Sequence, residues 1–192
     1  MKKNITALWL LCLLVVTKSY AFSGVDSALK PARDLFFVDS FAVKSQKTIR
    51  VKTSKLKDNA GLEYIGAIVS AAELAPFLAQ LKAELGNEFT RFRQNQSARD
   101  HHKFHVTLIN PMEYQLLLTK NLTIGQEISI NLLGLGRAAK AGKSAYFVVV
   151  QSNDGQFYRQ KLVLQNKDFH ITLGFDPQDV YGVSKGTDSL IQ

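Results

Sequence analysis

The sequence contains FHVTL at residues 104–108 and, 65 positions later, FHITL at residues 169–173. Each pentapeptide alternates apolar residues with one histidine and one threonine. Because successive side chains of a β-strand point to opposite faces, each pentapeptide predicts a strand with three apolar side chains toward the core and an imidazole and a hydroxyl on the other face. Two such motifs in matching apolar frames indicate a shared role.

The four polar side chains of these motifs suit the cleavage of a phosphodiester. If the two strands are neighbours in one sheet, His105, Thr107, His170 and Thr172 converge on one groove. One neutral imidazole can accept a proton from the attacking water or hydroxyl, and a protonated imidazole can donate one to the leaving oxygen, since the unperturbed pKa of histidine is about 6.5. The threonine hydroxyls can donate hydrogen bonds to the non-bridging oxygens. We expect no metal ion and no cofactor.

Two other interpretations of the histidines stay open. In the first, both motifs lie on half-exposed strands that face solvent and share no site. In the second, His101, His105 and His170 bind a metal ion, although residues 104–109 alternate as a strand and no glutamate completes a helical metal-binding pattern. The matched pair of motifs favours catalysis over both.

The rest of the chain predicts a mixed α/β fold. Apolar alternation predicts further strands over residues 62–70, 127–135 and 145–151. Apolar residues at helical spacing predict a helix from Ser70 or Pro76 to Leu85 and a short helical segment from Asn153. Between the last two predicted strands, a turn is indicated by a group of glycine and basic residues: Gly134, Gly136, Arg137, Lys140, Gly142 and Lys143. The two halves form a weak internal repeat that ends in a His-bearing strand.

Residues 1–21 have the features of a secretory signal peptide. Two lysines precede an apolar run over residues 5–16, and small residues at positions 19 and 21 fit cleavage after Ala21. The apolar run is shorter than the roughly 20 residues that span a bilayer, so a retained membrane anchor is the less favoured alternative. The sequence therefore predicts an exported protein, periplasmic or secreted, without stable membrane association.

Cleavage after Ala21 changes the composition of the mature chain. The only cysteine, Cys12, leaves with the signal, so the mature protein has no disulfide and no sulfur-ligated metal site. Loss of three lysines reduces the net charge from +8 to +5, which suits an anionic ligand without specifying one. We divide the mature chain into a basic N-terminal arm, residues 22–60, and a domain, residues 61–192, and expect a monomer.

Two His-x-Thr motifs, each on a predicted strand and separated by a half-repeat, closely resemble those of the two-histidine (2H) phosphoesterase superfamily. That group includes 2′-5′ RNA ligase-like proteins, cyclic nucleotide phosphodiesterases and RNA-repair phosphoesterase domains. The segment over residues 175–186 resembles the RNA-repair ("Swiss Army knife") branch. The resemblance implies an α/β (α+β) fold of two pseudo-symmetric lobes whose antiparallel sheets flank a central cleft. It places four residues at the catalytic positions: His105, Thr107, His170 and Thr172.

Tyr181 and Lys185, both of which follow the second motif in the sequence, are candidates for substrate binding. Tyr181 lies in a polar loop, where its ring can stack on a base, and Lys185 can bind a phosphate. Three other aromatic residues could also stack on a base, but core packing is their more common role: Tyr146, Phe157 and Tyr158.

The sequence thus predicts hydrolysis of a cyclic phosphodiester or a 2′-5′ linkage in a nucleotide or RNA end. The alternative is a non-catalytic protein that binds a phosphorylated nucleotide-type ligand with the same four side chains. The presence of both histidines and both hydroxyls favours the enzyme, because a binding protein would tolerate the loss of one.

We predict that the mature protein begins at Phe22. Sequencing the N-terminus of exported, detergent-free material checks this prediction. A chain that still starts at Met1, or one that only detergent extracts, would contradict it.

Overall fold

The computed structural model describes residues 46–117 and 122–191. Its strands are β1 (Lys47–Lys57), β2 (Glu63–Val69), β3 (Phe104–Ile109), β4 (Glu127–Lys140), β5 (Lys143–Gln151) and β6 (Phe169–Asp176). Its α-helices are α1 (Ala75–Leu85), α2 (Phe89–Arg99), α3 (Pro111–Leu116) and α4 (Asn153–Gln160), and short 3₁₀ turns cover Gly86–Glu88 and Thr187–Ser189.

The six strands form one sheet in the order β3-β2-β1-β4-β5-β6, and every neighbouring pair is antiparallel. The central strand, β1, joins two ladders: Lys47–Lys52 pairs with β4, and Thr53–Lys57 pairs with β2. The edge strands β3 and β6 pack against each other, although no ladder joins them. The sheet therefore curves until its two edges meet.

Both predicted His-bearing strands are present; the predicted alternation of burial holds along β3, whereas on β6 Thr172 is also buried, at 7% exposure. On β3, Phe104, Val106 and Leu108 are buried while His105 and Thr107 are partly exposed. On β6, the apolar positions are likewise buried and His170 is partly exposed. Burial of these apolar side chains, with those of β1, β4 and β5, forms the main core and is the dominant favourable term in folding.

Each His-bearing strand has a β-bulge at the leucine that follows its threonine. Gly66 pairs with Thr107 and the preceding β2 residue pairs with Ile109, which leaves Leu108 as the extra residue. The pairing of β6 with β5 skips Leu173 in the same way. A bulge leaves a backbone carbonyl outside the ladder, where it needs another hydrogen-bond donor.

An arginine supplies that donor at both bulges, and each arginine comes from the helix that precedes the other strand. Arg93 of α2, the helix before β3, donates to the Leu173 carbonyl on β6. Arg159 of α4, the helix before β6, donates from Nη1 to the Leu108 carbonyl on β3 at 2.6 Å. We call these two contacts the crossed arginine bonds. They connect the two edge strands through side chains instead of a ladder.

Other contacts reinforce each crossed bond. Asn95 of α2 donates to the Phe175 carbonyl at 3.0 Å, and a Cβ added to Gly174 would lie only 3.0 Å from that of Phe92, so glycine permits the close approach of α2 to β6. At the other bond, Arg159 is 2% exposed and makes two bonds of 2.8 and 2.9 Å with the carboxylate of Glu113.

The mixed α/β class and the antiparallel strands are confirmed, while the two pseudo-symmetric lobes stay a prediction. The boundary at residue 61 is wrong, because β1 lies at the centre of the sheet and the folded region already includes Lys47. The predicted glycine-rich turn is also wrong in extent, since Gly134 and Gly136 lie within β4 and the turn is Ala141–Gly142. The predicted signal peptide and residues 22–45 of the arm lie outside the described residues.

We predict that Arg159→Met lowers the free energy of unfolding by about 3–5 kcal/mol, because it leaves a carboxylate and two carbonyls without their buried donor. Urea denaturation checks this value. Lys161→Met, at an exposed position just after α4, is the control and should change stability by less than about 0.5 kcal/mol. Equal losses in the two variants would contradict a structural role for the crossed bond.

Candidate active site

A cleft of about 850 Å³ opens where the two edge strands meet. All six residues predicted as site residues line it: His105, Thr107, His170, Thr172, Tyr181 and Lys185. The basic strand β1 contributes Lys55 and Lys57, so part of the predicted arm also borders the cleft. The structure thus brings both His-x-Thr motifs to one concave surface.

The two motifs cross the cleft in opposite directions. Arg93 packs on the Phe104 ring, at 4.5 Å from its centroid, and also donates to the Leu173 carbonyl, so the start of β3 lies beside the later part of β6. Beyond these positions, Arg99 before β3 pairs with Asp179 after β6. This direction puts His105 on the side of Thr172 and His170 on the side of Thr107, so the two imidazoles stand diagonally across the cleft.

His105 lies against the ring of Tyr64 from β2. The Tyr64 hydroxyl is 3.2 Å from Nε2 of His105, and the ring centroids are 5.6 Å apart. Burial lowers the pKa of His105, and the carboxylate of Asp100 partly offsets this effect. Burial also raises the pKa of Tyr64 to about 12, which keeps its hydroxyl protonated. Tyr64 therefore contacts the His105 imidazole at Nε2 without adding a charge.

His170 lies in a more positive environment. Its ring packs edge-on against Phe147, with centroids 5.4 Å apart. Burial, together with the ammonium groups of Lys185 and Lys167, lowers the pKa of His170 to about 3 against the opposing effect of Asp179. The two imidazoles thus differ in the balance of their charged neighbours: Asp100 and Arg99 act on His105, whereas Lys185, Lys167 and Arg99 outnumber Asp179 around His170.

A chain of alternating charges runs along one side of the cleft. Arg99 donates to both oxygens of Asp100 at 2.7 and 2.8 Å and also pairs with Asp179. Asp179 accepts a hydrogen bond of 2.9 Å from Nζ of Lys185. Burial alone would raise the pKa of Asp179, but the two cations hold it below its usual range. The chain attaches the segment after β6 to the end of α2.

The two predicted substrate-binding residues differ in exposure. Tyr181 is 71% exposed at the cleft, so its ring is free to stack on a ligand. Lys185 is only 6% exposed, and its ammonium lies over the rings of Phe147 and Tyr181 at 5.4 and 5.9 Å. The side chain of Lys185 is therefore held in place by Asp179 and two aromatic rings.

The other aromatic candidates lie outside the cleft. Tyr146 packs against Phe92 in the core, and the Tyr158 hydroxyl donates to the Thr123 carbonyl at 2.8 Å. Phe157 is exposed and contacts Lys161 instead of lining the cleft. These positions fit the packing role that the sequence favoured for most of them.

Sequence reasoning missed four residues that surround the histidines: Tyr64, Arg99, Asp100 and Asp179. Tyr64 was assigned only to a strand, yet it is two residues from Gly66, which pairs with Thr107, and so shares the cleft face. Arg99 and Asp179 lie 80 positions apart, and no local spacing connects them.

The metal interpretation has no support in the described part of the chain. Within residues 46–117 and 122–191, no group of three or more His, Cys, Asp or Glu side chains could hold a metal ion. His101 does line the cleft, and its backbone is left-handed with a φ of 51°.

Within residues 46–117 and 122–191, no helix is long and apolar enough to cross a bilayer.

A family model described as "Swiss Army Knife, 2H phosphoesterase domain" matches residues 69–181. The match includes both His-x-Thr strands, α2 and the crossed arginine bonds. The chain belongs to the 2H phosphoesterase family. Comparisons with curated proteins and with solved structures give no match. Membership in the 2H phosphoesterase family implies a hydrolase with phosphodiesterase-type activity, and the matched span contains His105, Thr107, His170 and Thr172.

Proposed function

We propose that this 2H phosphoesterase is an exported, metal-independent enzyme that hydrolyses a cyclic phosphodiester or a 2′-5′ linkage in a nucleotide or RNA end. The observation that carries the proposal is that both His-x-Thr motifs line one cleft. Their opposite directions, inferred from the contacts of Arg93 and Arg99, place the imidazoles diagonally. Hydrolysis by in-line displacement needs a base on one side of the phosphorus and an acid on the other. A diagonal pair of imidazoles fits that requirement.

The charged neighbours favour His170 as the base and His105 as the acid. Burial, and then the charges of Lys185 and Lys167, oppose protonation of His170, so its imidazole is neutral and can accept a proton from water. Asp100 favours the protonated form of His105, and an anionic substrate adds to that effect. In this assignment, the hydroxyls of Thr107 and Thr172 hydrogen-bond the non-bridging oxygens and stabilise their charge in the transition state.

The remainder of the cleft suits a nucleotide. The exposed ring of Tyr181 offers a stacking surface for a base, and lysines at the rim offer positive charge to further phosphates. The cleft volume of about 850 Å³ lies in the upper part of the usual 300–1,000 Å³ range of ligand sites, so it has room for more than a lone phosphodiester.

Two further expectations belong to the proposal. Export rests on the signal-like order of residues 1–21. The pseudo-symmetric lobes are supported by β1, whose two halves pair with β2 on the side of β3 and with β4 on the side of β6, and by the matching bulges at Leu108 and Leu173.

A binding protein is the second candidate function, and one observation favours it. Burial lowers the pKa of His105 and of His170, so both imidazoles are largely uncharged at neutral pH in the unliganded protein. Such a site holds no ready general acid until a ligand supplies negative charge. A ligand that binds without turnover would identify this function.

We predict that the mature protein turns over at least one member of a panel of 2′,3′-cyclic nucleotides, 2′-5′ dinucleotides and ADP-ribose cyclic phosphate in the presence of EDTA. Product release followed by chromatography checks this. Loss of turnover in EDTA with recovery in zinc or manganese would replace the proposal with a metal-dependent reaction. Binding without product would favour the second candidate.

Variants of the four motif residues test the division of roles. His105→Ala and His170→Ala should each lower kcat by about 10²- to 10⁴-fold, and the double variant should be little worse than the poorer single variant, because the two groups act as one unit. Thr107→Val and Thr172→Val should cost about 10- to 10³-fold, because each removes one donor without removing a proton carrier. Unchanged thermal unfolding in all four variants is the control for folding.

The pH dependence of kcat/KM separates the two histidines. The base His170 is neutral above about pH 3, and the protonated fraction of the acid His105 falls as the pH rises through a pKa below 6.5. The intact enzyme should therefore have its highest kcat/KM between about pH 3 and 6.5. In His105→Ala, the residual activity should lose its decline on the alkaline side. An optimum above pH 7 would contradict this assignment.

A further inference from the structure

The two lysines that face His170 differ in their partners. Lys185 has its charge matched by Asp179 at 2.9 Å. Lys167 also lines the cleft and is half-buried, yet its ammonium makes no ion pair or hydrogen bond with any residue in the ranges 46–117 and 122–191. Burial lowers the pKa of Lys167, because partial loss of water disfavours its charged form.

The carboxylate that most affects Lys167 is already occupied. Glu113 raises the pKa of Lys167 through space, but both oxygens of Glu113 are bonded to Arg159 at 2.8 and 2.9 Å. One of them also accepts from the backbone of Asn110 at 2.9 Å. Glu113 therefore serves the crossed arginine bond and the start of α3, and Lys167 has no direct partner among the described residues.

The backbone of Lys167 is held on both sides by one side chain. Gln156 of α4 donates to the Lys167 carbonyl at 2.7 Å and accepts from the Lys167 amide at 3.3 Å. The position of Lys167 is thus fixed three residues before His170, while its ammonium stays available. A fixed backbone with a free charge suits binding, because less freedom is lost when a ligand arrives.

Among the cations of the cleft, Lys167 combines proximity to His170 with partial burial. Lys57 and Lys103 also lack an ion pair in the described ranges, but both are exposed and remain hydrated. Lys55 is paired with Glu63 at 3.2 Å. An anion that enters beside His170 would gain most from Lys167, because the interaction of two charges strengthens as water is excluded.

We propose that Lys167 binds an anionic oxygen of the substrate's phosphate group, and that Lys185, held by Asp179, positions the segment after β6 instead of carrying the phosphate. The inference rests on the proposed function only in placing a phosphate between the two His-x-Thr motifs. It adds a phosphate-binding residue outside those motifs and changes the role that the sequence suggested for Lys185.

The test measures binding of inorganic phosphate to the intact chain by calorimetry at neutral pH and several NaCl concentrations. Lys167→Gln should weaken phosphate binding by about 10- to 100-fold, the range of one hydrogen bond to a charged group, and should reduce its salt dependence. Lys167→Arg should retain most of the affinity. Lys161→Gln removes an equal charge outside the cleft and is the matched control, with an expected change of less than threefold.

Thermal unfolding distinguishes binding from a structural role. Because Lys167 is a half-buried charge without a partner in the described residues, Lys167→Gln should leave Tm unchanged or raise it while phosphate affinity falls. The inference would be overturned if Lys167→Gln bound phosphate as tightly as the intact chain, or if Lys167→Gln and Lys161→Gln lost the same affinity. A fall in the Tm of Lys167→Gln alongside its loss of phosphate affinity would also overturn it. The same holds if the intact chain binds no phosphate.

The outcome also separates this inference from the proposed function. Phosphate binding that depends on Lys167 in a protein that cleaves no phosphodiester would refute the enzyme and keep the binding residue. Turnover that survives unchanged in Lys167→Gln, with phosphate binding also unchanged, would keep the enzyme and remove the role of Lys167.

Discussion

The crossed arginine bonds are the contacts on which the site depends. Each reaches from the helix that precedes one His-bearing strand to a bulged leucine carbonyl on the other, so neither motif is positioned by its own half alone. A ladder between β3 and β6 would bring their backbones to within about 4.8 Å and leave little room between the motifs. Side-chain bonds hold the two edges together and still allow a cleft.

The difference between the two histidines follows from what each half places beside them. The end of α2 brings the carboxylate of Asp100 to His105, and the segments before and after β6 bring lysines to His170. One sequence motif used twice thus yields two imidazoles with different proton affinities. Such a difference suits separate acid and base roles, because there is a pH range in which one imidazole is neutral while the other is still partly protonated.

The sequence predicted the parts of the fold that local alternation determines. β3 and β6 followed from apolar residues at every second position, and their shared motif indicated the site. Helix α2 was not predicted, because FTRFRQNQSAR has only two large apolar residues and uses its polar side chains to bond β6 and Asp179. β1 was placed outside the domain because lysines alternate with its core-facing residues. The pairing of Lys185, and the absence of a partner for Lys167 within the part of the chain that the structure describes, depend on contacts between distant segments, which no local pattern reveals.

A crystal structure of the intact chain with orthovanadate tests most directly whether the two motifs serve one phosphate, because five-coordinate vanadate mimics in-line phosphoryl transfer. We expect one vanadate in the cleft, with the imidazoles of His105 and His170 on its two apical sides and the hydroxyls of Thr107 and Thr172 on equatorial oxygens. Contact distances of about 2.6–3.2 Å to all four side chains would fit the account. Vanadate that contacts one motif alone, or that binds outside the cleft, would contradict it.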